Sequence, residues 1–307
     1  MSTRRNFLKN SAALGVASVS NLSFAEEQII RRRVGTSKEF IPAIGMGSWL
    51  TFDVADSAHA RGKRVEILQR FFRMGGSLID SSPMYGTSQV VIGHCLEALK
   101  KEKPKQELPV FSASKVWTPG RQFGVRQMKN SADLWRIPKF DLMQVHNLLD
   151  GDTHLNTLKQ WKAEGKVRYI GGTTSHGRRH DKLISIMENE PIDFIQITYN
   201  IVDREVENRI LPLALERGIS VIVNRPFQRS LVFDRVRELD LPPWAREFGC
   251  ENWAQFFLKF IISHRAVTCA IPATSKLAHM TENMGALRGD LPDPRTRKKM
   301  VSFYESI

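Results

Sequence analysis

The stretch Val65-Glu66-Ile67-Leu68-Gln69-Arg70-Phe71-Phe72-Arg73-Met74-Gly75-Gly76-Ser77-Leu78-Ile79-Asp80 holds one complete structural unit. Val65, Leu68, Phe71 and Phe72 recur at steps of three and four, the spacing that lines one face of an α-helix. Gly75-Gly76 stops that helix, because glycine accepts the backbone conformation that a helix end requires. Ser77–Ile79 then forms a short uncharged run that closes on Asp80. Such a run, bounded by glycine, reads as a strand buried on both faces.

The unit repeats along the chain. Further strand-like runs fall at Ala43–Met46, Val110–Ser114, Leu142–Val145, Tyr169–Gly172, Phe194–Thr198, Ser220–Val223 and Val267–Ile271. Helical patterns lie between them: Val91, Cys95, Leu96 and Leu99; Leu155, Leu158 and Trp161 ahead of Gly165; Leu183, Ile186 and Met187; Ile210, Leu213 and Ala214 ahead of Gly218; and Trp253, Phe256, Phe257, Phe260 and Ile261. The segments 118–136 and 225–248 read as loops, the second long enough to cover part of one barrel face. Eight strand-then-helix alternations in about 250 residues match a (β/α)8 TIM barrel. A doubly wound open sheet shares the alternation and is the structural rival. Ile29–Val34 and Glu39–Ile41 flank the turn formers Gly35-Thr36-Ser37-Lys38 and read as an N-terminal β-hairpin, with an extra helix expected at the C-terminus.

Composition bounds the class. The 307 residues are 42% hydrophobic and 25% charged, too apolar for a disordered chain and too polar for a membrane bundle, so no stable membrane span is expected. Lys and Arg outnumber Asp and Glu by 45 to 32, a net +13 that raises the question of a nucleic-acid partner. The basic tracts Arg31-Arg32-Arg33, Arg178-Arg179 and Arg295 to Lys299 lack interleaved aromatics, so they read as solvated faces and no nucleic acid is expected. Cys95, Cys250 and Cys269 have neither the even count of a disulfide framework nor the spacing of a zinc site, and no metal is expected.

Thr3-Arg4-Arg5-Asn6-Phe7-Leu8-Lys9 is followed by an uncharged run from Ser11 to Ala25, ending in Ser23-Phe24-Ala25. This resembles a twin-arginine (Tat) signal peptide with a cleavage site after Ala25. The resemblance implies residues 1–25 as the signal and 26–307 as the barrel, with the Tat export machinery as a partner and the periplasm as destination. It also implies a protein exported already folded, typically with a cofactor in place.

In such a barrel the reactive side chains stand at the C-terminal ends of strands. Asp80 ends the second strand, Tyr85 follows five residues on, Lys115 ends the third and His146 the fourth. Around them, Gly45-Met46-Gly47-Ser48-Trp49, Leu78 to Gly86, Ser114-Lys115-Val116-Trp117, Gln144-Val145-His146-Asn147, Arg168-Tyr169-Ile170-Gly171, Gln196 to Asn200 and Ile271-Pro272 to Glu282-Asn283 resemble the aldo-keto reductases over nearly all of residues 30–290.

The resemblance implies a catalytic tetrad of Asp80, Tyr85, Lys115 and His146. A carbonyl reduction needs a hydride at carbon and a proton at oxygen. A free phenol titrates near 10, so Tyr85 is a weak acid unless a cation lowers that value, and Lys115, held by Asp80, is expected to do so. His146 would orient the substrate oxygen or relay the proton. The implied cofactor is NADP(H), in preference to NAD(H), bound without a G-x-G-x-x-G turn. Gln196 would meet the carboxamide, beside Thr173 and Thr174. Asn224 departs from the family pattern, since many relatives place a nicotinamide-stacking Tyr there. Arg225 or Arg229 would approach the pyrophosphate, Thr274, Ser275 and Lys276 the 2′-phosphate, and Glu282 and Asn283 the adenine. His279 stands where many NADPH users carry Arg, and Trp49 and Trp117 would line the substrate mouth.

The expected reaction is reduction of an aldehyde or ketone, with a small carbonyl compound as substrate. The periplasm has no general NADPH pool, so a retained cofactor or a redox partner is implied. The rival reading is a nucleotide-binding sensor or binding protein on the same barrel with little turnover. A barrel enzyme that uses Lys and Asp without nicotinamide is a third.

Overall fold

The computed structural model describes residues 28–307, so residues 1–25, expected to be a signal segment, lie outside the described residues. The antiparallel hairpin β1 (Arg31–Arg33) and β2 (Phe40–Pro42) comes first, with Arg32 opposite Ile41. The strands β3 (Met46–Gly47), β4 (Leu78–Asp80), β5 (Phe111–Val116), β6 (Leu142–Val145), β7 (Tyr169–Thr173), β8 (Phe194–Thr198), β9 (Ser220–Asn224) and β10 (Val267–Ala270) pair in sequence order as an eight-stranded parallel sheet. Bridges from Ile44 to Ala270 and from Gly47 to Ala273 join the two edges, which closes the sheet into a (β/α)8 barrel rather than an open one.

Helices α1 (Ala58–Arg73), α2 (Ser88–Glu102), α3 (Arg121–Trp135), α4 (Gly151–Ala163), α5 (His180–Asn189), α6 (Ile210–Arg217), α7 (Trp253–Ile262) and α8 (Leu277–Gly285) separate or follow the strands, and α9 (Pro294–Ser306) is the extra C-terminal helix. Ser57 caps α1 by accepting the Ala60 amide. At its other end Gly75 has φ +91°, and a Cβ there would also strike Ile29.

The barrel strands are buried on both sides because alternate residues serve two cores. Leu78, Phe111, Leu142, Phe194, Ile222 and Cys269 form an inner cluster with Val34 and Ile41 of the hairpin, while Ile79, Met143, Ile195 and Val221 join the larger cluster beneath the helices. The hairpin therefore seals the barrel at the start of its strands. Two residues further along the same inward rows stand Asp80, Ala113, Gln144 and Gln196, and Lys115 follows Ala113; all five are buried. The barrel interior thus changes from hydrocarbon at its floor to hydrogen-bonding groups at its mouth.

Three expectations change. Residues 118–136 are largely the helix α3; its buried face consists of Gly124, Met128, Ser131 and Trp135, a row with too few large apolar side chains to register as a stripe. A Cβ at Gly124 would lie 2.4 Å from His154 of α4, so the small residue sets the approach of the two helices. The segment 225–248 is mostly short 3-10 turns, with Val232, Val236, Ala245 and Phe248 buried. The terminal basic tract is not wholly solvated: Arg297 donates to Glu207 and Ser263, both at 2.9 Å, and to the Phe260 carbonyl and Tyr199 hydroxyl, which fastens α9 to the barrel.

Candidate active site

The two-residue period of β4, β5, β6 and β8 brings inward-facing polar groups together at the mouth. Lys115 is fully buried, and its Nζ donates to Asp80 Oδ2 at 2.6 Å and to the Ser81 carbonyl at 2.9 Å. Gln196 Nε2 donates to Asp80 Oδ1 at 2.9 Å. Asp80 is thus held at both oxygens. The Lys115 ammonium stands 5.1 Å from the centroid of the half-buried Tyr85 ring, and the His146 ring meets that ring edge-on at 5.8 Å. The four predicted catalytic residues do converge.

Their electrostatics correct one expectation. Burial pushes the Tyr85 phenol up, and this outweighs the lowering effect of Lys115, so the phenol titrates above its ordinary value rather than below it. Burial alone would lower the Lys115 ammonium, but Asp80 and then Tyr85 more than offset it, and its pKa is raised. Burial, with Lys115 adding to it, pushes the His146 imidazole down to about 3. His146 is therefore neutral at ordinary pH. Its Nδ1 is hydrogen-bonded to Ser82 Oγ at 2.8 Å, which leaves Nε2 for a ligand.

A cavity of about 540 Å³ opens beside this group. Its lining includes Trp49, Asp80, Tyr85, His146, Thr173, Thr174, Gln196, Asn224, Arg225 and Arg229 from the predicted set. Asn224 ties three strand ends together: it accepts from Thr198 Oγ1 at 2.7 Å and donates to the Thr174 carbonyl at 3.0 Å. Among the described residues Thr174 Oγ1, buried in the cavity wall, has no hydrogen-bond partner, an unmet polar group that a ligand amide would satisfy. Arg229 lies over the Trp49 ring, 4.4 Å from its centroid.

Other predicted residues stand apart. Trp117 is 40% exposed, with its ring 6.4 Å from that of His146, and does not line the cavity. Thr274 accepts the Lys276 amide at 3.1 Å, Lys276 immediately precedes α8, and Ser275, Lys276 and His279 are exposed just beyond the lining residue Ala273. Glu282 is half-buried and Asn283 buried one turn further along α8. Sequence reasoning missed Ser82, which orients His146, and the lining residues His176 and Phe227. His176 directly follows Thr173-Thr174-Ser175, so the strand-end rule itself points to it.

Known proteins resemble this chain in sequence and in fold. The NADH-specific methylglyoxal reductase of Escherichia coli is 28% identical over 243 residues, 69% of this chain and 72% of its own length. An aldo-keto reductase of Klebsiella pneumoniae solved with NADPH superposes with a TM-score of 0.70 at 22% identity, covering 91% of this chain and 95% of that one. The holo form of aldo-keto reductase AKR11C1 from Bacillus halodurans gives 0.72 at 20%, covering 90% and 96%. The aldo/keto reductase family model matches residues 43–297, from the strand before Trp49 to α9, and so takes in every strand end just described. By that match the chain belongs to the aldo/keto reductase family.

Proposed function

We propose that the protein is a nicotinamide-dependent reductase of a small aldehyde or ketone. The observation that carries this reading is the convergence of Tyr85, Asp80 and His146 on one cavity, with Lys115 buried against Asp80 and the Tyr85 ring. The substrate oxygen lies between Tyr85 and His146. The raised pKa keeps the phenol protonated at neutral pH, and the neighbouring ammonium stabilises the phenolate that remains once the proton is given up. Asp80 keeps Lys115 charged and in place. His146, neutral and fixed through Ser82, hydrogen-bonds the oxygen through Nε2 and sets its angle.

A nicotinamide dinucleotide, when bound, supplies the hydride. The unmet Thr174 hydroxyl and the size of the cavity fit such a group. Thr173, Thr174, Gln196 and Asn224 hold the nicotinamide end, Arg229 the pyrophosphate, and Thr274, Ser275, Lys276, His279, Glu282 and Asn283 the adenosine end. Gln196 offers its Oε1, since its Nε2 is engaged by Asp80. The exposed Lys276 favours NADP(H) through the 2′-phosphate. The relatives divide on this point: one is named as NADH-specific and another was solved with NADPH.

Residues 1–25 act as a twin-arginine signal that delivers the folded protein to the periplasm, where a retained cofactor or a redox partner supplies reductant. The test joins both parts. Quenching of protein fluorescence by NADPH, and NADPH consumption with a carbonyl panel, are expected for the wild type, with turnover reduced at least 100-fold in Tyr85→Phe, the usual worth of a general acid. Fractionation is expected to find wild-type protein in the periplasm and an Arg4→Lys/Arg5→Lys variant in the cytoplasm. No nucleotide binding would sink the enzymatic reading, and cytoplasmic wild type the export reading.

A further inference from the structure

Two guanidinium groups, Arg225 and Arg229, line the cavity, with the exposed Lys276 beyond them on the loop after β10. Arg229 reaches across to Trp49, in the segment after β3. That is the side of β10, the neighbour of β9 in the sheet and bridged to the β3 edge, whose following loop supplies Thr274, Ser275 and Lys276. A dinucleotide with its adenosine on that loop passes Arg229. Arg225 follows the end of β9 and His176 the end of β7, with Arg229 close enough to act on both. The His176 amide donates to Thr198 Oγ1 at 3.1 Å, and Asn200 Nδ2 donates to the Arg225 carbonyl at 3.2 Å. Both residues line the same cavity as Tyr85 and His146.

Three further observations mark this second group as a binding feature. Among the described residues no carboxylate lies within ion-pair distance of the Arg225 guanidinium; Asp203 acts on it only from further off, while burial and Arg229 disfavour its charge. His176 also sits in a positive field, its imidazole lowered by burial and then by Arg225, Arg178 and Arg229, with Asp203 opposing. Both residues hold left-handed backbone, His176 at φ 61° and Arg225 at φ 50°, where glycine would be unstrained. A bulky cationic side chain kept in such a conformation beside a cavity is a common sign of a functional constraint.

Resting on the carbonyl-reductase reading above, we propose that the substrate carries an anionic group, a carboxylate or a phosphate, and that Arg225 with His176 binds that group while the carbonyl faces Tyr85. Arg225 is then a specificity-determining residue. A planar guanidinium presents paired donors to either anion, and the neutral imidazole adds one more donor. An anion held away from the reacting carbon contributes binding energy that fixes the carbonyl for attack.

The experiment compares matched pairs of carbonyl probes, 4-carboxybenzaldehyde with benzaldehyde and glyceraldehyde 3-phosphate with glyceraldehyde, in the wild type and in R225Q, R225K and R229Q. Nucleotide binding is followed by fluorescence in each. The wild type is expected to favour the anionic member of at least one pair by tenfold or more in kcat/KM. The pair that shows the preference identifies carboxylate or phosphate. R225Q is expected to reduce that ratio at least tenfold, chiefly through KM, with R225K retaining part of it, and R229Q to weaken nucleotide binding instead. The inference is overturned if the wild type turns over both members of each pair equally, or if the loss in R225Q is the same for both members. Weaker nucleotide binding as the main effect of R225Q would assign Arg225 to the cofactor and overturn it too. Absence of nucleotide binding and turnover in the wild type would bring down the functional reading and this inference together.

Discussion

Lys115 and Lys259 are both fully buried, yet their surroundings differ in kind. Lys115 ends a strand, pairs with the Asp80 carboxylate, and stands beside a phenol that lines a cavity. Lys259 lies in α7 between Leu258 and Phe260, and donates to backbone carbonyls of Phe248, Arg288 and Asp290, the first at 2.6 Å and the last at 2.8 Å. The first arrangement is a charge-neutral pair that responds when a proton leaves its neighbour. The second is a clamp that draws the end of the 243–248 turn and the loop after α8 onto α7. Burial of a charge is common to both, so burial alone is no mark of catalysis; the partner and the adjacent space decide.

If the contrast is real, the two lysines fail differently. Lys115→Met is expected to lower turnover about 1,000-fold, within the usual range for acid and electrostatic assistance. It also strands the Asp80 carboxylate, so an Asp80→Asn/Lys115→Met double variant is measured beside it. Urea unfolding is expected to show recovered stability in the double variant without recovered turnover; recovery of both would place the chemistry elsewhere. Lys259→Met is expected to cost about 3 kcal/mol of stability by leaving buried carbonyls unmet, while the folded protein keeps its turnover number. A large drop in kcat with an unchanged urea midpoint would erase the distinction.

A smaller effect comes from one histidine in each region. His146 beside Lys115 is held down to about 3, by burial and then Lys115. His264 is held down to about 4, by burial and then Arg297. An unfolded imidazole titrates near 6.5, so at pH values below that each group takes up a proton on unfolding that the native state refuses. Stability is therefore unaffected by them above pH 7. It is expected to fall between pH 6.5 and 5, by about 1.4 kcal/mol per pH unit for each histidine. His146→Asn and His264→Asn should each remove one share of that slope in urea midpoints measured across the window. An unaltered slope in the double variant would show that other groups carry it.

The barrel was legible because both faces of each strand are buried, which makes short uncharged runs stand out between helical stripes. The candidate site was legible because Asp80, Lys115 and His146 stand at the ends of successive strands. What escaped had physical causes. The inward face of α3 is built from Gly124, Met128, Ser131 and Trp135, which carry little hydrophobic periodicity. The left-handed run at Arg225, Gln228, Arg229 and Ser230 contains no glycine to announce it. The rise in the Tyr85 pKa depends on how deeply the ring is buried against how close Lys115 comes, a balance between two distances that no spacing encodes. Arg297, read as one of a solvated tract, bridges elements about ninety residues apart in sequence.

The hairpin that plugs the floor gives the molecule a polarity. Val34 and Ile41 seal the end opposite Tyr85, and Ile30, close to the first described residue, is already anchored there through its amide to the Leu287 carbonyl. The amino-terminal end of the described chain thus leaves from the blind pole of the barrel. A tether, tag or surface attached on that side would hold the protein by its back, with the open pole facing the medium from which small molecules arrive.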